Sequence, residues 1–191
     1  MILEHKHTAT GTKILLASME KDHVKHLIKL AQNPSLSDVM GWDTFFEHNQ
    51  VTQFLDAIAE YALPYSQHCQ PIIFGIYLQL DEPPIGYAIL KGINKKLLTT
   101  EVGVAILEPR YQNKGGYGRL ALARIIMYAF DELQLNIVAA AILSSNKRSI
   151  NMCKRVGFTV RKILPQSWEM PDGHVADMTW LELTRDTYLN P

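Results

Sequence analysis

Two rhythms of apolar residues alternate along the chain, one at helical spacing and one running almost unbroken for a strand's length. Val24, Leu27, Ile28 and Ala31 follow the i, i+3, i+4, i+7 spacing of an amphipathic helix. Ser18 is placed to cap that helix, and Asn33-Pro34 to stop it. A second stripe, Val51, Phe54, Leu55, Ile58 and Tyr61, predicts a helix over residues 47–62, closed by Pro64. The link between the two carries Trp42, Phe45 and Phe46, which serve either as core staples or as contacts to a cleft. From Pro71 onward the rhythm shortens. Residues 72–80 and 85–90 read as a hairpin around Asp81-Glu82-Pro83-Pro84, and residues 99–107 as a third strand.

A long helix is predicted from about Tyr117, with Leu122, Ile125, Ile126, Ala129, Phe130 and Leu133 as its buried stripe. Residues 136–143 are nearly all apolar, as a central strand covered on both faces should be. A short helix over 146–155 ends against Gly157, whose freedom at positive φ suits a helix terminus. Strands over 158–164 and 176–183, joined through Pro171-Asp172-Gly173, complete the chain. This order predicts a mixed α+β fold, one sheet with helices on both faces, in a single domain spanning residues 1–191.

Composition narrows the function. Nineteen Lys and Arg balance nineteen Asp and Glu, so no global field recruits nucleic acid or an anionic membrane. The basic doublets Lys95-Lys96, Lys147-Arg148, Lys154-Arg155 and Arg161-Lys162 lack interleaved aromatics and read as solvated faces. Residues 1–11 contain no signal-like apolar core, and no apolar run has the length of a membrane span, so a soluble, cytoplasmic protein is expected. Cys69 and Cys153 do not form a CxxC pair. His23 and His26 lack the spacing of a zinc helix, and His5 and His7 fall in a terminal segment with no predicted element; no metal is expected.

The candidate chemistry lies in Gln112-Asn113-Lys114-Gly115-Gly116-Tyr117-Gly118-Arg119, between the third strand and the long helix. A glycine-rich loop opening a helix gathers backbone N–H groups at the positive end of the helix dipole, which suits a phosphate. Lys114 and Arg119 add charge there. A P-loop needs GxxxxGK[ST], which is absent. Gly116-Tyr117-Gly118-Arg119-Leu120-Ala121 does match the dinucleotide pattern GxGxxA, but it follows the third strand rather than the first, and no carboxylate closes the next strand.

The run from Glu101 to Gly118 resembles the acetyl-CoA motif of the GNAT N-acetyltransferases, written [QR]-x-x-G-x-[GA] after a strand. A second signature follows in order, Asn146-x-x-Ser149-Ile150 and then Gly157-Phe158. The C-terminal residues Asp172-Gly173-His174, Asp177 and Leu181 to Tyr188 are similar to the tail of the ribosomal-protein N-terminal and spermidine acetyltransferases. Two departures stand out. Aligning on Gly116-Tyr117-Gly118 puts Asn113 where the motif has Gln or Arg, while aligning on Gln112 implies one extra glycine. Cys153 occupies the position where many relatives carry a tyrosine acid.

The resemblance implies a mostly antiparallel twisted sheet and acetyl-CoA as co-substrate, held by residues 113–119 (Asn113, Lys114, Gly115, Gly116, Tyr117, Gly118, Arg119). It also implies backbone contacts from Ile106 or Leu107, one N–H meeting the developing oxyanion, and contacts from Asn146 and Ser149. Asn146 is equally placed as a plain helix N-cap, and Ser149 as a capping or packing residue. Glu101 is either a relay for the amine's proton or a solvent-facing charge at a strand start. Cys153 is either the acid for the leaving thiolate or a small buried residue. The cofactor is expected where the strand before Gly116 and the strand ending at Leu143 diverge. The acceptor is expected to be a small-molecule or peptide amine (a protein N-terminus, a polyamine or an aminoglycoside-like amine), entering from the side built by residues 35–46 and 164–174. Asp38, Asp43 and Glu47 are candidates for a polycation. A non-catalytic acyl-CoA-binding module and a dinucleotide oxidoreductase are the rival readings.

Overall fold

The computed structural model describes residues 2–6, 11–31, 71–170 and 173–190. Eight strands form one sheet: β1 (Ile2–Lys6), β2 (Lys13–Ala17), β3 (Ile72–Tyr77), β4 (Gly86–Asn94), β5 (Thr99–Ile106), β6 (Ile137–Leu143), β7 (Thr159–Glu169) and β8 (Val175–Thr184). Their order in space is β1-β2-β3-β4-β5-β6-β8-β7. Neighbours are antiparallel except β5 and β6, which run parallel. The mixed, mostly antiparallel sheet expected from the sequence is therefore present. The predicted helix over 47–62, the aromatic link before it, and Asp38, Asp43 and Glu47 lie outside the described residues.

Helices cover both faces. α1 (Lys21–Ala31) buries Val24, Leu27 and Ala31 against Leu15, Ile73, Tyr77, Ala105 and Leu107. α2 (Tyr117–Met127) and α3 (Lys147–Val156) pack on the other face. Leu122, Ile125, Ile126, Ala129 and Phe130 of the predicted stripe are all essentially buried. A buried Leu or Ile contributes roughly 1.5–3 kcal/mol relative to exposure, so this stripe fixes the helix on the sheet. Beyond Met127 the helix widens into a π turn, Tyr128–Glu132, and Arg185 Nη1 donates to the Phe130 carbonyl there at 2.7 Å. The C-terminal helix α4 (Arg185–Leu189) follows directly.

Three sequence expectations need correction. Ser18 does not stand at the N-cap position of α1: the helix begins at Lys21, and the Glu20 carbonyl accepts its first bond, from Val24 N–H. Met19, between Ser18 and the helix, is buried in the core. Residues 2–6, assigned no element from the sequence, form β1, paired with β2 from Ile2↔Ala17 to Lys6↔Lys13. β7 reaches Glu169, well past residue 164, because β8 supplies pairing partners out to Val175.

Candidate functional site

The parallel strands β5 and β6 are paired only at Thr99↔Ile137, Thr100↔Val138 and Glu101↔Ala139. Both strands then continue, β5 to Ile106 and β6 to Leu143, without pairing to each other. Across that gap β5 stays bonded to β4, and β6 to β8. The sheet therefore splits along one seam, and a cleft of about 650 Å³ opens there. Glu101, Val104, Leu143, Asn146 and Ser149 are among its lining residues.

Strand alternation decides which backbone groups face the seam. Leu107 N–H donates to the Ile85 carbonyl at 2.9 Å, on the β4 side. N–H groups of successive strand residues point to opposite edges, so Ile106 presents its N–H toward β6. This corrects one expectation: the Leu107 N–H is engaged with Ile85 and is not available to an oxyanion. Ile106 meets the geometric requirement that Leu107 fails.

The glycine loop stands at the mouth of the seam. Gln112 Nε2 donates to the carbonyls of Ile106 and Leu107 at 3.2 and 3.3 Å, tying the loop to the end of β5. Asn113, Gly115 and Gly116 all adopt left-handed backbone, with φ of 61°, 62° and 69°. Asparagine tolerates that region better than other side chains, which accounts for Asn113 where the motif has Gln or Arg. At Gly115 a Cβ would lie 2.5 Å from the Tyr117 ring, which packs edge-on against Tyr111. Glycine at position 115 is thus favoured by both conformation and space.

Gly116 is the N-cap of α2 and offers no side-chain cap, while the first intrahelical bond runs from Leu120 N–H to its carbonyl. The N–H groups of Tyr117, Gly118 and Arg119 therefore have no partner within the helix. Lys114 and Arg119 are exposed beside them. Gly118 lies within the helix; its Cβ position would be 3.5 Å from the Met152 sulfur, at the edge of the cleft. Exposed amides, a helix N-terminus, two cations and a split sheet edge match a ligand that joins a diphosphate to an extended amide-bearing arm.

Glu101 is half-buried, lines the cleft, and forms an ion pair with Lys91 at 2.8 Å across the β4–β5 ladder. The Asn146 carboxamide oxygen accepts from Ser149 N–H at 3.0 Å, making Asn146 the N-cap of α3, and both residues also line the cleft. Cys153 is buried in α3, its thiol unpaired and pushed up to about 12 by burial. Tyr87, missed from the sequence, is half-buried on the cleft, and desolvation raises its phenol above the ordinary value. Trp168, in the segment 164–174 expected to border the acceptor, lines the cleft from the β7–β8 hairpin, as does Trp180, which was missed. Among the described residues no three or more His, Cys, Asp or Glu converge to hold a metal ion. Nor is any described helix long and apolar enough to cross a membrane.

Comparison with known proteins agrees with this geometry. The spermidine N-acetyltransferase of Vibrio cholerae, solved with CoA and spermine, superposes with a TM-score of 0.78 at 18% identity. That match covers 93% of this chain and 98% of the other. A probable acetyltransferase superposes at 0.72 with 24% identity, covering 91% and 93%. At such identities the likeness shows a shared fold. No curated protein matches the sequence significantly. The family described as the acetyltransferase (GNAT) domain matches residues 13–159, most of the chain, and the protein belongs to that family.

Proposed function

We propose that this acetyl-CoA-dependent N-acetyltransferase holds its donor along the seam between β5 and β6 and acetylates a primary amine presented beside Glu101. The observation that carries this reading is the register of β5 and β6, which ends at Glu101↔Ala139 although both strands continue beside the helix N-terminus. In this reading the N–H groups of Tyr117, Gly118 and Arg119, with Lys114 and Arg119, hold the diphosphate. The open edge of β5 up to Ile106 pairs with the arm, and Asn146 and Ser149 border it on the α3 side. Acetyl-CoA supplies the acetyl group as an activated thioester.

Glu101 takes up the proton that an incoming ammonium must lose before it can attack, directly or through a water. Lys91 keeps the carboxylate in place. Ile106 N–H is fixed toward the carbonyl oxygen that gains charge, where a preorganised main-chain donor is most effective. The proton needed at the departing sulfur comes from water. Cys153, at about 12, would have to give its proton uphill to a thiolate with an ordinary value near 8.5. Its burial in α3, at the wall of the cleft, supports a packing role. The family match favours transfer over a purely acyl-CoA-binding module. A single catalytic domain in a cytoplasmic setting, where Cys153 stays a free thiol, belongs to the same proposal.

Thermal unfolding with candidate ligands tests the reading. Acetyl-CoA at about 100 times its dissociation constant should add roughly 2.7 kcal/mol of stability, while NADH and ATP add none. No shift with saturating acetyl-CoA, or an equal shift with NADH, refutes it. Release of CoA thiol in the presence of an amine then separates transfer from binding alone.

A further inference from the structure

Side chains on one face of a sheet recur every second residue, and aligned residues of neighbouring strands share that face. Two rows on the Glu101 face therefore meet at the split. The first runs from Lys91 and Glu101 to Ala139 and Glu182. The second has Ile89 and Gly103 on one side of the seam, and Ala141, Trp180 and Lys162 on the other. Gly103, Ala139 and Ala141 give the sheet a low floor beside Glu101, and in the second row the first large side chain beyond that floor is Trp180. Glu101, Gly103, Ala141 and Trp180 all line the cleft. From β5 to β8 is two strand spacings, about 10 Å where the strands are still paired. An amine held at Glu101 therefore brings its carbon body toward the indole.

The indole is fixed by its neighbours. Its N–H donates to Glu182 Oε1 at 2.9 Å, and Arg161 Nε donates to Glu182 Oε2 at 3.1 Å. Glu182 thus joins Trp180 to β7 through both carboxylate oxygens. The Lys162 ammonium lies 5.8 Å from the ring centroid, within cation–π range. An aromatic ring tied at its one polar atom presents a fixed apolar surface, and a ligand that meets a fixed surface orders fewer side chains on binding. Trp180 stands at the cleft, half-buried, with that surface in place.

We propose that Trp180 binds the acceptor, its indole packing against the carbon atoms that carry the amine, and that Glu182 is the residue that positions the indole. This rests on the amine-transfer reading above and adds the side chain that holds the acceptor while Glu101 meets its amine.

Acetylation of 2-phenylethylamine, n-hexylamine, spermidine and trialanine, followed by release of CoA thiol, tests both roles. The proteins compared are the wild type, Trp180→Ala, Trp180→Phe, Glu182→Ala and the double variant. For each amine that the wild type acetylates, Trp180→Ala should raise the KM of the amine at least about fivefold and leave the KM of acetyl-CoA within about twofold. Trp180→Phe should restore most of the loss. Glu182→Ala should also raise the KM of the amine, but add nothing in the Trp180→Ala background, because a residue acting through the indole has no effect once the indole is gone. Should Trp180→Ala fail to fold, Trp180→Leu takes its place, keeping bulk without the ring. A smaller rise in the KM of the amine, or an equal rise in that of acetyl-CoA, overturns the proposal and leaves amine transfer standing. A fully additive loss in the double variant removes Glu182 as the positioning residue. No turnover of any of the four amines, while acetyl-CoA still raises the thermal midpoint, refutes amine transfer and the role of Trp180 with it.

Discussion

Replacing Gly116 by alanine separates the cost of the loop's backbone from the cost to its ligand. Gly116 has φ of 69°, and a Cβ there would meet nothing within 4 Å, so the free protein suffers only conformational strain. Left-handed backbone costs an alanine about 1–2 kcal/mol. For a domain of this size each kcal/mol shifts the midpoint by about 2–4 °C, so Gly116→Ala should melt about 2–8 °C lower. Gly11, between β1 and β2, provides the matched control, with the same φ of 69° and nothing among the described residues within 4 Å of its Cβ position. Gly11→Ala should lose a similar amount. The two variants should part when acetyl-CoA is added. In the wild type and in Gly11→Ala, ligand at about 100 times the wild-type dissociation constant raises the midpoint by about 5–11 °C. In Gly116→Ala the methyl group and the displaced N–H groups should weaken binding at least about tenfold, leaving a rise of about 3–6 °C or less at the same concentration. Differential scanning fluorimetry across an acetyl-CoA titration reads both quantities. An equal ligand-induced rise in all three proteins would show that the diphosphate is held elsewhere.

Glu101→Gln should lower kcat/KM about 10²–10⁴-fold on the acid side of the pH profile and much less where the amine is already neutral; a uniform loss of threefold or less would remove Glu101 as the proton acceptor. Cys153→Ala should change kcat less than about tenfold, under 1.4 kcal/mol of barrier, and a larger loss with intact acetyl-CoA binding would make the thiol the acid after all. The same variant carries a stability signature at high pH. Burial raises the Cys153 thiol, so the stability this group contributes is present below its unfolded value and fades as the pH climbs toward about 12, a loss of about 1.4 kcal/mol by pH 10. Between pH 8 and 10 the wild type should therefore lose about 3–6 °C more than Cys153→Ala, and parallel curves would refute this. Asn146→Ala, which removes the acceptor for Ser149 N–H, should cost about 0.5–2 kcal/mol in thermal unfolding; no change would mean that the α3 cap contributes nothing.

The sequence revealed elements whose signal is local. The stripe from Leu122 to Phe130 repeats at the helical period and is buried as one face, and Asn146 and Gly157 bracket α3 as its N-cap and its left-handed terminus. β1 and β2 are different. Ile14 to Ala17 is a short apolar run without alternation, and one of its two partners, β3, lies more than fifty residues further on. The local signal, Gly11 with Ile2-Leu3 on one side and Ile14-Leu15-Leu16 on the other, is too short and irregular to mark the β1–β2 pairing by period alone. β7 was underestimated for a related reason. As an edge strand it is exposed nearly throughout, carries Pro165, and shifts register against β8 twice, so it has neither an apolar face nor a clean period.

The site divides along the same line. Glycine composition was enough to locate the loop, because left-handed backbone at Gly115 and Gly116 is a demand placed on those residues themselves. Which N–H faces the cofactor seam is a property of pairing. Ile106 and Leu107 are equivalent in sequence, and only the Leu107 bond to Ile85, an edge set by β4, separates them. Gln112 likewise looked like a motif position in an ambiguous register, whereas its contact with two strand carbonyls makes it the tie between β5 and the loop. The ion pair of Glu101 with Lys91 depends on the β4–β5 register, and the setting of Trp180 opposite Ala141 on that of β6 and β8. The proposed donor contacts rest on backbone geometry that a short motif specifies, so they are legible from the chain. On the proposed acceptor side the segment 164–174 was legible, but the pairing that sets its side chains beside Glu101 exists only in the assembled sheet.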